Sequence, residues 1–366
     1  MSIKIAFMNT HKGWGGGEKW HFEAACFFHA LGYDVTFICK KGSILHEKLL
    51  NKGVCCQFFS VSNLSFLNPL KILSLAVKLR QKHILLLNSP ADNKLAGVAS
   101  LFNKKLKIIF RRGMPHPIKP SFLNKWLFRH RVDCVIANSK TVKMSLNARN
   151  RHLIPEENIK VIYNGFDVES YCRKPFLSLF SQPDNSPAPV FVTCGRLVEQ
   201  KNQLLLLKAA KLLKDKTEKF KLIIVGNGPL FDILHQYIEE NNLVDVCLLA
   251  GFLENTKDAL SCADIFLLPS LYEGSSNALI EACGAGLPVI ASNIPSNKEV
   301  IEHDVNGYLL PVDDPQQWAE VMLQLMYDES KQNIFGDASK NKIINDFSID
   351  KTRQELKELV DNLCIS

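Results

Sequence analysis

Two carboxylates, Glu273 and Glu281, stand with seven residues between them around a polar turn in FLLPSLYEGSSNALIEACGAGLPVIAS, residues 266–292. The apolar run Ile265 to Leu268 stops at Pro269. Ser275 or Ser276 then suits the N-cap of an apolar helix that Gly284 and Gly286 end. Glu273 thus precedes the helix and Glu281 rides inside it. A helix opening just beyond a buried strand aims free N–H groups at the crevice where α/β proteins bind anions, so the pattern implies a phosphate-bearing ligand held between two acids. Either Glu alone reads as a solvated face residue of an ordinary strand-turn-helix unit. Around Glu281, however, stand Ala278, Leu279, Ile280, Ala282 and Cys283, and a carboxylate drawn among them is costly unless something hydrogen-bonds it. A sugar hydroxyl is one such partner.

Cations accompany the acids. Arg196 and Lys201 follow the strand that ends at Gly195 in GRLVEQKN. If the next helix starts near Asn202, both lie at the C-terminal edge of the sheet beside the Glu273 turn, where two fixed cations neutralise a pyrophosphate without a divalent metal. One preorganised donor of this kind contributes about 3–4 kcal/mol to a developing anion. The alternative is a solvated pair, but a cation at a helix N-terminus is poorly placed unless an anion joins it. Each half of the chain also has a glycine loop, Gly13-Trp-Gly-Gly-Gly17-Glu18 and Gly226-Asn-Gly228-Pro229. Neither is the GxGxxG dinucleotide fingerprint. Either serves backbone approach to a ligand at a helix start or simple tight-turn geometry.

These groups need a scaffold, and 366 residues with 46% apolar and 22% charged content suffice for two soluble domains with separate cores. The first half alternates strands and helices: Ile3 to Met8, the glycine loop, a helix through Ala24, Phe28 and Leu31, then Val35 to Cys39. Further strands are expected at Ile84 to Leu87, Ile108 to Phe110, Val132 to Ala137 and Ile159 to Ile162. SLFSQPDNSPAP, residues 178–189, reads as a linker. A second series follows, with strands at Val190 to Cys194, Leu222 to Val225, Val246 to Leu249, Ile265 to Leu268 and Pro288 to Ala291. Its helices span Gln203 to Leu213 and Pro229 to Glu240, the latter with Leu230, Ile233, Leu234, Tyr237 and Ile238 on one face. The expected fold class is α/β, with two Rossmann-like domains facing each other across a cleft. Residues 1–175 form the first domain and 176–349 the second, with an amphipathic helix at 350–366 crossing back onto the first.

Eleven scattered cysteines without CxxC pairs, and ten histidines without HxxxH spacing, predict reduced core fillers and no metal site. Adjacent Cys55 and Cys56 are placed at the start of a buried strand. The opening MSIKIAFMNT reads as a strand rather than a signal peptide, and no apolar run reaches the roughly 20 residues of a membrane span. The cytosol is the expected location. The net charge of +7 hides a division: residues 1–170 carry 26 Lys and Arg against 10 Asp and Glu, and the remainder 18 against 27. A basic first half fits an anionic membrane surface, an acidic acceptor or nucleic acid, or is merely a soluble basic face. No recognition motif supports nucleic acid.

Taken together, VTCGRLVEQKN, LIIVGNGP, LLAGFLENT and PSLYEGSSNALIEACGAGLPVIAS resemble, in order and spacing, the retaining glycosyltransferases of family four, which have the GT-B fold. Weaker echoes in the first half are GGGEKW, VIANS at 135–139 and VIYNGFD at 161–167. The resemblance covers nearly the whole chain, and it implies a metal-independent enzyme, without cofactor, that moves a hexose-type sugar from a nucleotide-sugar such as a UDP-sugar to a glycan or lipid-linked acceptor. Cell-envelope polysaccharide or lipopolysaccharide synthesis is the implied setting. By position, Arg196 and Lys201 would bind the donor's diphosphate, Glu281 its ribose and Glu273 the sugar hydroxyls, with Glu273, Arg196 and Lys201 as the catalytic set. Gly274, Ser275 and Ser276 would offer backbone contacts, Gly228 would belong to the donor site, and the Gly251 to Leu253 segment would border the base. From the first domain, Gly16 and Gly17 would approach the diphosphate.

One departure stands out: no histidine falls where family members often carry one in the first domain. LLLNSPADNK at 85–94 and IIFRRGMPHP at 108–117 offer Asp92, Arg111, Arg112 or His116 instead, for that role or for an anionic acceptor. The arginines equally suit a basic face, and His116 a loop. FLNKWLFRHR at 122–131 interleaves Phe122, Trp126, Leu127 and Phe128 with cations, as an interfacial helix does and as an ordinary sheet-packing helix also does. With the charge division, it gives the expectation of peripheral contact with the inner face of the membrane. A sugar-nucleotide epimerase of the same fold and a non-catalytic nucleotide-sugar-binding protein remain as rivals, and the spacing of Glu273 and Glu281 with the cations favours transfer over epimerisation.

Overall fold

The computed structural model describes residues 3–169, 188–253 and 256–365. It divides into two compact units, Met1–Asn164 with Asp350–Ser366, and Gly165–Ile349. The first unit's strands are β1 (Lys4–Asn9), β2 (Asp34–Cys39), β3 (Cys55–Phe58), β4 (Ile84–Leu87), β5 (Lys107–Arg112), β6 (Cys134–Ala137) and β7 (Ile159–Val161). They form one parallel sheet in the order β3-β2-β1-β4-β5-β6-β7. Its helices are α1 (Gly16–Ala30), α2 (Ile44–Leu50), α3 (Pro69–Leu79), α4 (Pro90–Ala99), α5 (Phe122–His130) and α6 (Lys140–Leu146).

Central strands buried on both faces read as continuous apolar runs, and ILLL of β4 is buried at every position. Alternate residues feed two cores. Ile5 and Phe7 pack on one side with Phe28 and Phe37, and Ala6 and Met8 on the other with Leu75 and Leu95.

The second unit carries β8 (Val190–Cys194), β9 (Lys221–Val225), β10 (Cys247–Gly251), β11 (Ile265–Leu268), β12 (Val289–Ser292) and β13 (Gly307–Leu310), all parallel in the order β10-β9-β8-β11-β12-β13. Helices α7 (Gln203–Lys214), α8 (Phe231–Glu240), α9 (Thr256–Ser261), α10 (Asn277–Gly284), α11 (Pro315–Met326) and α12 (Glu329–Asp346) accompany it. The last helix, α13 (Ile349–Ile365), packs Leu356 and Val360 into the first unit's core beside Phe28. There, Thr352 donates to the Tyr163 carbonyl at 3.0 Å and Tyr33 to Asp361 at 2.7 Å.

Strand order reverses between β1 and β4 in one sheet and between β8 and β11 in the other. Such switch points open a crevice beyond the carboxyl ends of the strands, where doubly wound sheets hold ligands. No helix among the described residues is long and apolar enough to cross a membrane.

Several expectations need correction. The compact units divide after Asn164, and linker positions 178–187 lie outside the described residues. Cys55 begins an edge strand and is exposed, with Cys56 half-buried, because β3 has a sheet partner on one side only. Helix α8 starts at Phe231, so Pro229 sits in the preceding turn; Leu234 and Ile238 face the core, whereas Ile233 is exposed. Strand β13, whose sequence GYLL has no alternation, was not foreseen.

Candidate functional site

Beyond the switch point of the second sheet, the chain leaving β8 runs through Gly195, Arg196 and Leu197 into a single 3-10 turn, Glu199–Lys201. Asn202 follows with a left-handed φ of 52° and opens α7. That conformation is one asparagine tolerates; its side-chain amide ties the turn down by donating to the Pro269 carbonyl at 3.3 Å and the Val312 carbonyl at 2.9 Å. Opposite, β11 gives way to Pro269 and the turn carrying Glu273. Leu271 N–H donates to the Gln200 carbonyl at 2.8 Å, and Gln200 Nε2 to the Tyr272 carbonyl at 2.8 Å, stitching the two turns together.

Glu273 is buried, and the anion beside Lys201 is Glu273 itself: Lys201 Nζ lies 2.5 Å from Glu273 Oε1. Ser270 Oγ donates to the same oxygen at 2.8 Å, and Gln200 Nε2 reaches Oε2 at 3.5 Å. Ser276 caps α10 by accepting from Leu279 N–H, which sets the start of this helix just beyond the carboxyl edge of the sheet. Gly274 is buried and Ser275 half-buried in this turn, whereas Arg196 is exposed.

Glu281, half-buried on α10, accepts from Thr256 Oγ at 2.7 Å. At the end of β8, the Cys194 thiol is pushed up by burial and by the charge of Glu281, with Lys201 pulling the other way. Both Glu281 and Lys201 therefore act on one strand end. Leu253 is half-buried beyond β10.

The second glycine loop is a packing device. A Cβ on Gly226 would fall 1.8 Å from the Gly195 carbonyl oxygen, and one on Gly228 2.4 Å from that of Leu197. Leu197 N–H bonds the Asn227 carbonyl at 3.0 Å. The glycines let this loop lie directly on the segment that carries Arg196.

At the switch point of the first sheet, Gly15 is the N-cap and Gly16 and Gly17 form the first turn of α1. A Cβ on Gly17 would fall 2.5 Å from Asn88 Nδ2, just beyond β4. Asn88 Oδ1 accepts from Arg111 Nη1 at 3.3 Å, and Asn164 Oδ1 from Nη2 at 2.9 Å. The guanidinium lies 4.5 Å over the Trp20 ring. Burial pulls the Arg111 pKa down to about 10, with Glu18 and Glu23 acting against it.

Asp92 is fully buried and accepts from Thr10 N–H at 3.2 Å and Thr10 Oγ at 2.6 Å. Burial raises its pKa more than those bonds lower it. Asp92 and Arg111, read from the sequence as candidates for the missing histidine's role or for an anionic acceptor, are both enclosed and brace the loops after β1 and β4. Arg112, half-buried, donates to the carbonyl of exposed His116 at 3.0 Å.

Ser270, Gln200, Thr256, Asn88 and Asn164 escaped the sequence reading. Ser270 stands three residues before its partner in the same turn and was within reach of it. Thr256 meets Glu281 from a separate helix, and no spacing announces that.

The description Glycosyltransferase Family 4 matches residues 14–170, and Glycosyl transferases group 1 matches residues 178–342. The chain is 27% identical to an Escherichia coli UDP-Gal:alpha-D-GlcNAc-diphosphoundecaprenol alpha-1,3-galactosyltransferase, over 91% of this chain and 90% of that one. It is 33% identical to the amylovoran biosynthesis glycosyltransferase AmsK of Erwinia amylovora, over 57% of this chain and 52% of that one. Among solved structures, a glycosyltransferase from Rickettsia africae superposes with a TM-score of 0.86 at 19% identity, covering 99% and 98% of the two chains. HepE of Anabaena in complex with UDP superposes with a TM-score of 0.82 at 20% identity, covering 98% and 100%.

Proposed function

Because this chain belongs to the family-four glycosyltransferases, with a glycosyl transferases group 1 domain, we propose that it transfers a hexose-type sugar from a UDP-sugar to a lipid-linked glycan, with retention of anomeric configuration and without a metal. The reading places the reaction at the inner face of the cell membrane, in envelope polysaccharide synthesis. The observation that carries it is the Lys201–Glu273–Ser270 cluster at the N-terminal end of α10.

Arg196, Lys201 and the N-terminal end of α10 would neutralise the donor's diphosphate. Glu281 would accept from the ribose hydroxyls and Glu273 from those of the sugar. As the C1–O bond to the diphosphate breaks, the acceptor oxygen bonds C1 on the same face, and its proton passes to the departing phosphate oxygen. No protein base is then needed, and the carboxylates are not an acid and nucleophile pair of the glycosidase kind. Fixed cations are worth most to charge that develops in a dry, preorganised site. The Leu253 segment would border the base. Arg112 and His116 remain for an anionic acceptor.

The test pairs UDP-sugar titration with transfer to a lipid diphosphate acceptor in the presence of EDTA. Glu281→Ala is expected to weaken UDP-sugar binding by roughly tenfold or more, and Lys201→Ala chiefly to reduce turnover. An inverted product anomer, loss of turnover in EDTA, or variants that match the parent would refute the reading.

A further inference from the structure

Helix α3 carries two apolar stripes. Ile72, Leu75, Ala76 and Leu79 recur at the spacing of one helix face and pack into the first unit's core. Leu70, Leu73 and Val77 recur at the same spacing on a different face and stay in solvent, Leu70 at 77% and Val77 at 74% exposure. A surface helix of a soluble domain has one apolar stripe and a polar opposite face, so the second stripe is unexplained by folding.

The stripe does not stand alone. The short turn Ser100–Phe102 packs against α3. Asn103 fixes it there, its amide donating to the carbonyls of Leu79 at 2.9 Å, Arg80 at 3.3 Å and Lys82 at 3.1 Å. This turn exposes Leu101 and Phe102, the latter at 62%. Clustered exposed aliphatic and aromatic groups of this kind mark an interaction surface.

Charge selects the partner. Residues 48–132 hold sixteen Lys and Arg and a single acid, Asp92, and that acid is fully buried. Lys104 and Lys105 are exposed directly after the Phe102 turn, Arg80 is exposed at the end of α3, and Lys78 lies on its flank. Apolar side chains that enter an acyl boundary, rimmed by exposed cations, are what an anionic bilayer surface binds. We propose that the outer face of α3 with the Leu101–Phe102 turn docks this protein on anionic lipid. The sequence had singled out α5 for this contact, but α5 seats Leu127 and Phe128 in the unit's interior and leaves only Phe122 fully in solvent among its large apolar residues. The proposal stands apart from the sugar-transfer reading.

Co-sedimentation of the full chain with phosphatidylglycerol and phosphatidylcholine vesicles tests it. Binding is expected to phosphatidylglycerol only and to fall as salt rises. Replacing Lys104 and Lys105 by Gln is expected to weaken it by about fivefold per cation, and L70S/V77S to abolish it, with the UDP-induced thermal shift unchanged in both. Equal binding to both vesicles overturns the proposal, as does full binding by L70S/V77S, or loss on Phe122→Ser alone. A dimer in the absence of lipid that L70S/V77S dissociates also overturns it, since a second copy of the chain would then be what covers the stripe.

Discussion

Replacing Lys201 by Met removes the cation from a carboxylate that the fold has already taken out of water. The Glu273 side chain is 6% exposed and that of Lys201 17%, so the pair is neither a surface bridge nor fully enclosed. Breaking a fully buried pair from one side costs about 3–5 kcal/mol, because the surviving charge is left without its partner. Partial solvent access at Lys201 and the remaining bonds from Ser270 and Gln200 reduce this to about 2–3 kcal/mol. For a unit of this size that is a fall in melting temperature of roughly 4–12 °C. Glu273→Gln keeps the shape and removes the charge, so the double variant should lose clearly less than the sum of the single losses, a coupling of about 2 kcal/mol. The measurement is thermal unfolding without nucleotide, at low and high salt, for the parent and three variants. Additive single losses, or a Lys201→Met melting temperature within a degree of the parent, would refute the claim that this ion pair holds the two site turns together.

Two further outcomes follow from packing and burial. Gly226→Ala should destabilise by more than about 3 kcal/mol in urea unfolding, because its Cβ has no room beside the Gly195 carbonyl and its φ is +145°; Gly251→Ala, at φ +69° with no atom near its Cβ, should cost only about 1–2 kcal/mol. His21 is wholly buried, its ring nitrogens have no hydrogen-bond partner among the described residues, and burial followed by the charge of Arg111 lowers its pKa to about 3. Between pH 6.5 and 3 the unfolded chain binds this proton and the folded one does not, so stability falls with falling pH, by about 2 kcal/mol at pH 5. His21→Phe, among Phe7, Trp20 and Phe37, should remove that part of the pH dependence; an unchanged difference between pH 7.5 and pH 5 would show that His21 is not its source.

The sheets were legible because their central strands are buried on both faces and so are written as short apolar runs between turn residues, as ILLL of β4 and IFLL of β11 are. At the edges the reading erred: β3 is half exposed where a buried strand was expected, and GYLL of β13, buried at three of its four positions, was missed because its apolar run is short and opens on glycine. Of the site, the segment after β11 was readable because its cap, its turn and its acid lie within eight residues, Pro269–Ser276, of one another. Its electrostatics were not. The sequence argument assigned the anion beside Lys201 to a ligand's pyrophosphate, and nothing in a linear chain says that a residue 72 positions away stands there.

The two switch points solve the same problem with opposite signs. In the second unit an anion, Glu273, is buried against Lys201 and a serine hydroxyl. In the first a cation, Arg111, is buried over Trp20 between two asparagine carbonyl oxygens. Desolvating an ionised group is unfavourable unless directed partners replace its water; in the second unit those partners come from the loops leaving β8 and β11, and in the first from Asn88 just beyond β4 and Asn164 beyond the edge strand β7. The glycines follow from the same demand. Gly17 lets α1 start against Asn88, the residue that holds Arg111, and Gly226 and Gly228 let a loop lie on the backbone that carries Arg196. In both places the missing Cβ makes room for the protein's own atoms: at Gly226 and Gly228 these are backbone, so the fold requires glycine there even before any ligand arrives, and at Gly17 it is the Asn88 amide, which a Cβ would displace from its place beside Arg111.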